Sequence, residues 1–319
     1  MSLLAAISCP TRGLHRLRVA VILMAAAGLL VACGGADDEG APPAAQVPPF
    51  PTERATAFAH LSLAAYQQLD DFLANRTFVL PEGYTLQEQL FVPQPISGDL
   101  PNGHDLLPIG YVATRGTEIH VTFRGTRSAD EWLADVNYPQ VIVGWLDRGG
   151  RVYQGFDGIY RAIRQPLLAT VNTLLGAGTY RSIHVTGHSL GGALAVMAAA
   201  ELAQRTGLPV EMYSFGAPRV GDPEFVARYR ELVGVSWRIA NVHDPVPGLP
   251  PREVVNLEDG RPVTRTYMHV PVLHVLRFGS DLDVAGSHDL CGYHRTLCAG
   301  SADPGACRAR ARGLAGCSG

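Results

Sequence analysis

The run of apolar and polar positions divides the chain into stretches of different kinds. "VAVILMAAAGLLVA", residues 19–32, is apolar throughout but shorter than the roughly 20 residues that cross a membrane. "GGADDEGAPPAAQVPPFP", 34–51, has no period and reads as a tether. From Thr52 the pattern turns helical, with Phe58, Leu61, Ala65, Leu69 and Phe72 near one face. "IGYVATRGTEIHVTFRG", 109–125, alternates in two arms about Arg115-Gly116, which predicts a hairpin. Helix and strand signals then alternate. "FDGIYRAIRQPLLATVNTLL" is helical, with Pro166 a candidate kink, and "SIHVTG" is a strand. "LGGALAVMAAAELAQR" is a helix, "VEMYSFG" a strand, "DPEFVARYREL" a helix and "VSWRIAN" a strand. "RPVTRTYMHV" and "PVLHVLRFG" are two more strand candidates. Such alternation predicts an α/β fold, a mainly parallel central sheet flanked by helices on both faces. Reactive groups in such folds collect at the carboxyl ends of the strands.

Composition narrows the picture. The chain has 319 residues, 47% of them hydrophobic, enough for one large core or two modest ones. A net charge of −3 with no basic run argues against nucleic acid as a partner. All 26 basic residues are arginine, so Schiff-base, phosphate-loop and general-base lysines are excluded. Arg12, Arg16 and Arg18 precede the apolar stretch, which ends in "LLVACGG", as in a secretory signal. The cysteine at that cut, Cys33, resembles the lipobox cysteine of bacterial lipoproteins. The resemblance implies cleavage before Cys33 and a lipid anchor on its thiol. By the same analogy Gly34, where a retained lipoprotein would carry aspartate, points to the outer membrane. Removing 1–32 takes away three arginines and no acid, which leaves a charge of −6. The expected organisation is a signal peptide at 1–32, a tether at 33–51, a body at 52–300 and a cysteine-containing tail at 301–319. The sequence leaves the oligomeric state open.

Cys291, Cys298, Cys307 and Cys317 all lie near the carboxyl end. In an exported protein they predict two disulfides, in any of three pairings. Their spacings do not suit a zinc ribbon, and no HExxH occurs, so neither metal nor cofactor is expected.

Candidate chemistry begins at "HVTGHSLGGALA". Strand, then Gly187-His188-Ser189-Leu190-Gly191, then helix is the arrangement of a nucleophile elbow. The sharp turn exposes the Ser189 hydroxyl, Gly187 and Gly191 let strand and helix approach, and the helix start offers free N–H groups to an oxyanion. A serine needs a base, and the base an orienting acid, in the chain order serine, acid, histidine. Asp244, where "WRIANVHDPVPGLP" breaks from a strand into a Pro-rich loop, is the favoured acid. Asp222 competes, although "GDPEF" also reads as a helix start with Asp222 as its cap. Among His269, His274, His288 and His294, the favoured base is His288, in "DVAGSHDLCGY", expected in a loop after the last strand. His294 is the second choice, and His243 reads as a packed neighbour. A disulfide at Cys291 is expected to restrain that loop, so that reduction lowers turnover before it unfolds the sheet.

With these pieces in order, the chain resembles the class 3 lipases, the fungal-type triacylglycerol lipase family with an α/β-hydrolase fold, over about 58–297. The resemblance rests on "VTFRGTRSADEWLAD", "VYQGF", "HVTGHSLGGALA", "YSFGAPRVGD", "NVHDPVPGLP" and "SHDLCGY". It implies Ser189 as nucleophile, Asp244 as acid and His288 as base, with an oxyanion hole from Thr126 and the N–H of Leu190. Tyr153 departs from the family's frequent histidine. The family also implies a lid within 128–140. Here Ser128 and Glu131 form a capping box, and Trp132, Leu133 and Val136 a short apolar face. A fixed surface helix would show the same pattern. The expected function is ester hydrolysis on a lipid substrate by a membrane-anchored enzyme. Phospholipids and short or aromatic esters remain as other substrates, and a surface lipoprotein that only binds remains as the non-enzymatic reading.

Overall fold

The computed structural model describes residues 49–93, 105–126, 138–258, 260–314 and 317. Its frame is a seven-stranded sheet in the order β1-β2-β3-β6-β7-β8-β11. These strands are β1 Thr85–Pro93, β2 Leu106–Arg115, β3 Glu118–Phe123, β6 Ser182–His188, β7 Val210–Phe215, β8 Val235–Asn241 and β11 Leu273–Leu276. The first three pair antiparallel, with the predicted hairpin turning between Arg115 and Glu118. From β3 onward every pairing is parallel. Two small ribbons lie outside this sheet: β4 Gln140–Ile142 with β5 Arg151–Tyr153, and β9 Glu253–Glu258 with β10 Arg261–Thr266.

Helices cover both faces, and the side-chain alternation of the strands shows how. In β6, Ile183 and Val185 join the core beneath helices Gln154–Gly176 and Leu190–Thr206. Neighbouring Thr186 turns to the other face, where its hydroxyl meets that of Ser62 on helix Thr52–Leu73 at 3.2 Å. Both sets are buried, as a central parallel strand requires. The first helix is buried on more than the predicted face, because it lies between the sheet and helix Leu290–Ala299. Leu190–Thr206 is apolar almost all round for a similar reason: its buried positions run from Leu190 to Ala203 without a break. One polar anchor interrupts the apolar packing. Glu201 on that helix is fully buried and receives Arg164, Arg205 and the Tyr160 hydroxyl.

Beyond residue 300 the chain forms another helix, Pro304–Ala311, capped by Asp303. The disulfides pair Cys298 with Cys307 and Cys291 with Cys317. One joins the last two helices and the other fastens residue 317 to the start of Leu290–Ala299. Among the described residues no helix is long and apolar enough to cross a membrane.

Candidate active site

The elbow stands at the carboxyl end of β6. Ser189 takes φ +57° and ψ −128°, a conformation that an L residue holds only when its surroundings enforce it. Two glycines make the turn sterically feasible. A Cβ on Gly187 would lie 2.2 Å from the Gly191 carbonyl oxygen, and one on Gly191 would lie 2.5 Å from those of Phe123 and Arg124. Strand, turn and helix are therefore packed backbone to backbone.

The structure brings three of the predicted side chains together. His288 Nε2 is 2.8 Å from Ser189 Oγ, and His288 Nδ1 is 2.8 Å from Asp244 Oδ2. All three residues are buried. Asp244 sits where β8 ends, and its other oxygen accepts the Val246 N–H at 2.9 Å. Tyr293 also serves it: its hydroxyl donates to Asp244 Oδ2 at 2.6 Å and accepts the Asn241 N–H at 2.9 Å. Burial and the neighbouring carboxylate push the Tyr293 phenol well above its ordinary pKa, so it remains a donor. No local sequence signal marks Tyr293, because it stands 49 residues from the acid it touches.

The competing residues are occupied elsewhere. Asp222 caps helix Pro223–Leu232, accepting the Phe225 N–H at 2.8 Å. His243 pairs with Asp281, His269 meets the Pro247 carbonyl, and His274 stacks on Phe50. His294 lies against the sulfur of Cys298.

One expectation about His288 needs correction. It closes a short helix, Val284–His288, rather than lying in a loop. Asn241 Nδ2 donates to the carbonyls of Ser287 and Phe278, and the Ser287 hydroxyl donates to Ser280. The segment is therefore held by its own hydrogen bonds, upstream of the disulfide at Cys291.

Thr126 follows β3 closely, and its hydroxyl is buried without a hydrogen-bond partner among the described residues. An unpaired buried donor is costly, which leaves this hydroxyl available to a ligand. At the start of Leu190–Thr206 the Gly192 and Ala193 N–H groups are taken by the Ser189 carbonyl, while the Leu190 N–H stands first in the helix, where no intrahelical acceptor is available. Beside Thr126 and Leu190 opens a cleft of about 490 Å³, walled by Pro139, Tyr153, Phe156 and Ile159. Tyr153 packs edge-on against Phe156 with ring centres 4.8 Å apart. The residues expected to form a lid, Ser128, Glu131, Trp132, Leu133 and Val136, lie outside the described residues, as does Cys33. His294, Cys298 and Cys307 bring three potential metal ligands together, but the two sulfurs are bonded to each other.

An α/β-hydrolase fold with serine, histidine and aspartate in hydrogen-bonded series at its strand ends defines the class. Within it, residues 120–254 match the model of the lipase (class 3) family. Over 143 residues the chain is 36% identical to the secreted mono- and diacylglycerol lipase 1 of Fusarium solani, covering 44% of this chain and 42% of that protein. Over 221 residues it is 34% identical to a phospholipase A1 of Oryza sativa subsp. indica, covering 58% of this chain and 51% of that protein. The chain thus spans about half the length of these relatives or less. The solved triacylglyceride lipase of Rhizomucor miehei superposes with a TM-score of 0.52 at 26% identity, over 68% of this chain and 84% of that one.

Proposed function

We propose that the protein is an exported serine hydrolase of carboxylic esters, acting on acylglycerols or related lipids. One observation carries the reading: His288 contacts Ser189 Oγ and Asp244 at 2.8 Å each, and the Thr126 hydroxyl is buried with no hydrogen-bond partner among the described residues. In the proposed cycle Ser189 Oγ attacks the ester carbonyl while His288 Nε2 takes its proton. Asp244 holds the imidazole with Nδ1–H toward itself and stabilises the imidazolium. The Leu190 N–H and Thr126 receive the oxyanion. His288 returns the proton to the departing alcohol, and water then releases the acid from the serine by the same steps. The cleft beside Thr126 is mostly apolar in lining and suits an acyl chain. No step requires a cofactor.

The disulfides suit an oxidising compartment, and the Fusarium solani relative is named as secreted. We read 1–32 as the export signal, Cys33 as the site of a lipid anchor and 33–51 as the tether. Mass spectrometry of the mature amino terminus tests this, and an unmodified Cys33 removes the anchor.

The test of the activity is hydrolysis by the purified protein of p-nitrophenyl esters of increasing length, a triacylglycerol emulsion and phospholipid vesicles. Long-chain ester or glyceride turnover is expected, falling about 10⁶-fold in Ser189→Ala. A fluorophosphonate probe should label the parent protein and not the variant. Folded protein that neither turns over an ester nor takes the label would leave the binding-only reading. A preference for phospholipid vesicles would move the substrate class toward that of the Oryza sativa relative.

A further inference from the structure

The histidine of the elbow, His188, precedes the nucleophile and has no part in the proposed chemistry. It is 4% exposed and is not among the described residues that wall the cleft, yet both ring nitrogens are engaged. We infer that His188 and Tyr66 form a positioning pair, tying the main chain of the base His288 to the main chain beside the oxyanion residue Thr126. This rests on the triad reading proposed above.

The donors fix the direction of the chain of bonds. His188 Nε2 lies 2.8 Å from the main-chain oxygen of His288, which can only accept, so Nε2 carries the proton. The other nitrogen, Nδ1, lies 2.7 Å from the Tyr66 hydroxyl. In a neutral ring Nδ1 is an acceptor, so Tyr66 donates to it. The Tyr66 oxygen accepts in turn from the Gly125 N–H at 3.0 Å. The series runs from Gly125 N–H to Tyr66 O–H to His188 Nδ1, and from His188 Nε2–H to the His288 carbonyl. Every member is satisfied only with His188 neutral. Burial holds it so, with the nearby His288 adding to the effect, and both push its pKa well below the ordinary value.

The two ends of the series matter to the reaction. His288 is the residue whose ring must stay 2.8 Å from Ser189 Oγ. Gly125 is the residue before Thr126, and there is no slack around it: a Cβ would lie 2.5 Å from the Tyr66 hydroxyl and 2.8 Å from Ser189 Cβ. Tyr66 comes from the first helix, 122 residues from His188 and 59 from Gly125. One phenol thus sets the distance between the base segment and the oxyanion segment, which approach Ser189 from different parts of the chain.

The experiment compares His188→Phe, His188→Gln and Tyr66→Phe with the parent protein. Phenylalanine keeps the ring and loses both bonds at position 188. Glutamine reaches the Nε2 position with an N–H and can keep the bond to His288. Two rates are read well below each melting temperature: kcat on a soluble short ester, and fluorophosphonate labelling of Ser189. Val171→Ala, a core truncation far from the cleft, controls for loss of stability. Because a misplacement of about 1 Å costs on the order of 10²-fold, His188→Phe and Tyr66→Phe should lose about tenfold in both rates. KM should stay within about twofold, and His188→Gln should recover most of the loss. Equal rates in the parent and Phe variants, a loss no larger than in Val171→Ala, or a Gln variant as slow as Phe would each overturn the inference. Should His188→Phe fail to fold, Tyr66→Phe decides, since it removes a single oxygen. A parent protein that is never labelled would remove the triad reading and the positioning pair together. A labelled parent with unchanged variants would remove the pair alone.

Discussion

Asp222 and Asp244 each follow a strand and precede a proline, yet the fold gives them different work. Asp222 spends its carboxylate on the first turn of a helix, and Asp244 on the imidazole of His288 and the hydroxyl of Tyr293. Asp244→Asn should lower kcat about 10⁴-fold by favouring the wrong imidazole tautomer. Asp222→Ala should leave kcat unchanged and cost about 0.5–2 kcal/mol of stability as a lost cap. Kinetics and denaturant unfolding on both variants check the pair. The sequence could separate these two aspartates because a cap has a local signature, with proline and glutamate directly after it. It could not expose Tyr293, Asn241 or Tyr66, whose roles arise from contacts across tens of residues with no repeating pattern.

The elements show the same division. The hairpin at Arg115-Gly116 and the strand, elbow and helix around Ser189 were legible because their signals are local: alternation, a turn glycine, an apolar run. Strand β1 was not, since only its later half alternates cleanly, at Leu90 and Val92, behind a polar start. The short ribbon strands β4 and β5, with three residues each, carry too few positions to show any period. The helix beyond residue 300 was hidden by its polar surface; it buries Cys307 and Ala311 and is fastened by a disulfide. The observed bonds also change what reduction should do. Because Asn241 and Ser287 hold the base segment independently, Cys291→Ser should lower kcat by less than a few-fold. Opening its loop, with a sequence separation of 26, should cost about 3.5 kcal/mol of stability on the chain-entropy account. Parallel measurements of ester turnover and thermal unfolding check this. A large fall in kcat without a fall in melting temperature would restore the view that the disulfide aims the histidine.

The molecule as a whole buries more imidazole than its site uses. Burial keeps His60, His120 and His294 at about 4 and His269 at about 3, below the ordinary 6.5. The unfolded chain therefore binds protons between pH 6.5 and 4 that the folded one refuses. Stability contributed by these groups is intact above pH 6.5 and is lost as pH falls toward 4, and toward 3 for His269. Melting temperatures at constant ionic strength should be flat in this respect above pH 7 and decline steadily from about pH 6.5 downward. Replacing His269, which stands outside the triad, by glutamine should flatten the decline. An unchanged pH profile in that variant would show that its burial does not drive the acid sensitivity.

The first helix and the last segment meet: the Glu53 carboxylate accepts the Ala302 N–H at 2.6 Å, and the first helix also packs against helix Pro304–Ala311. The chain then returns along the same helices, since Cys317 is bonded to Cys291 at the start of Leu290–Ala299, so handles joined at either end of the body leave from the face that the first and last helices form. An enzyme immobilised through a carboxyl-terminal tag would present nearly the same face to bulk solvent as one fixed through its amino-terminal segment. A linker across that junction would also allow the chain to be reopened elsewhere, such as at the exposed turn after Arg115, without redrawing the sheet.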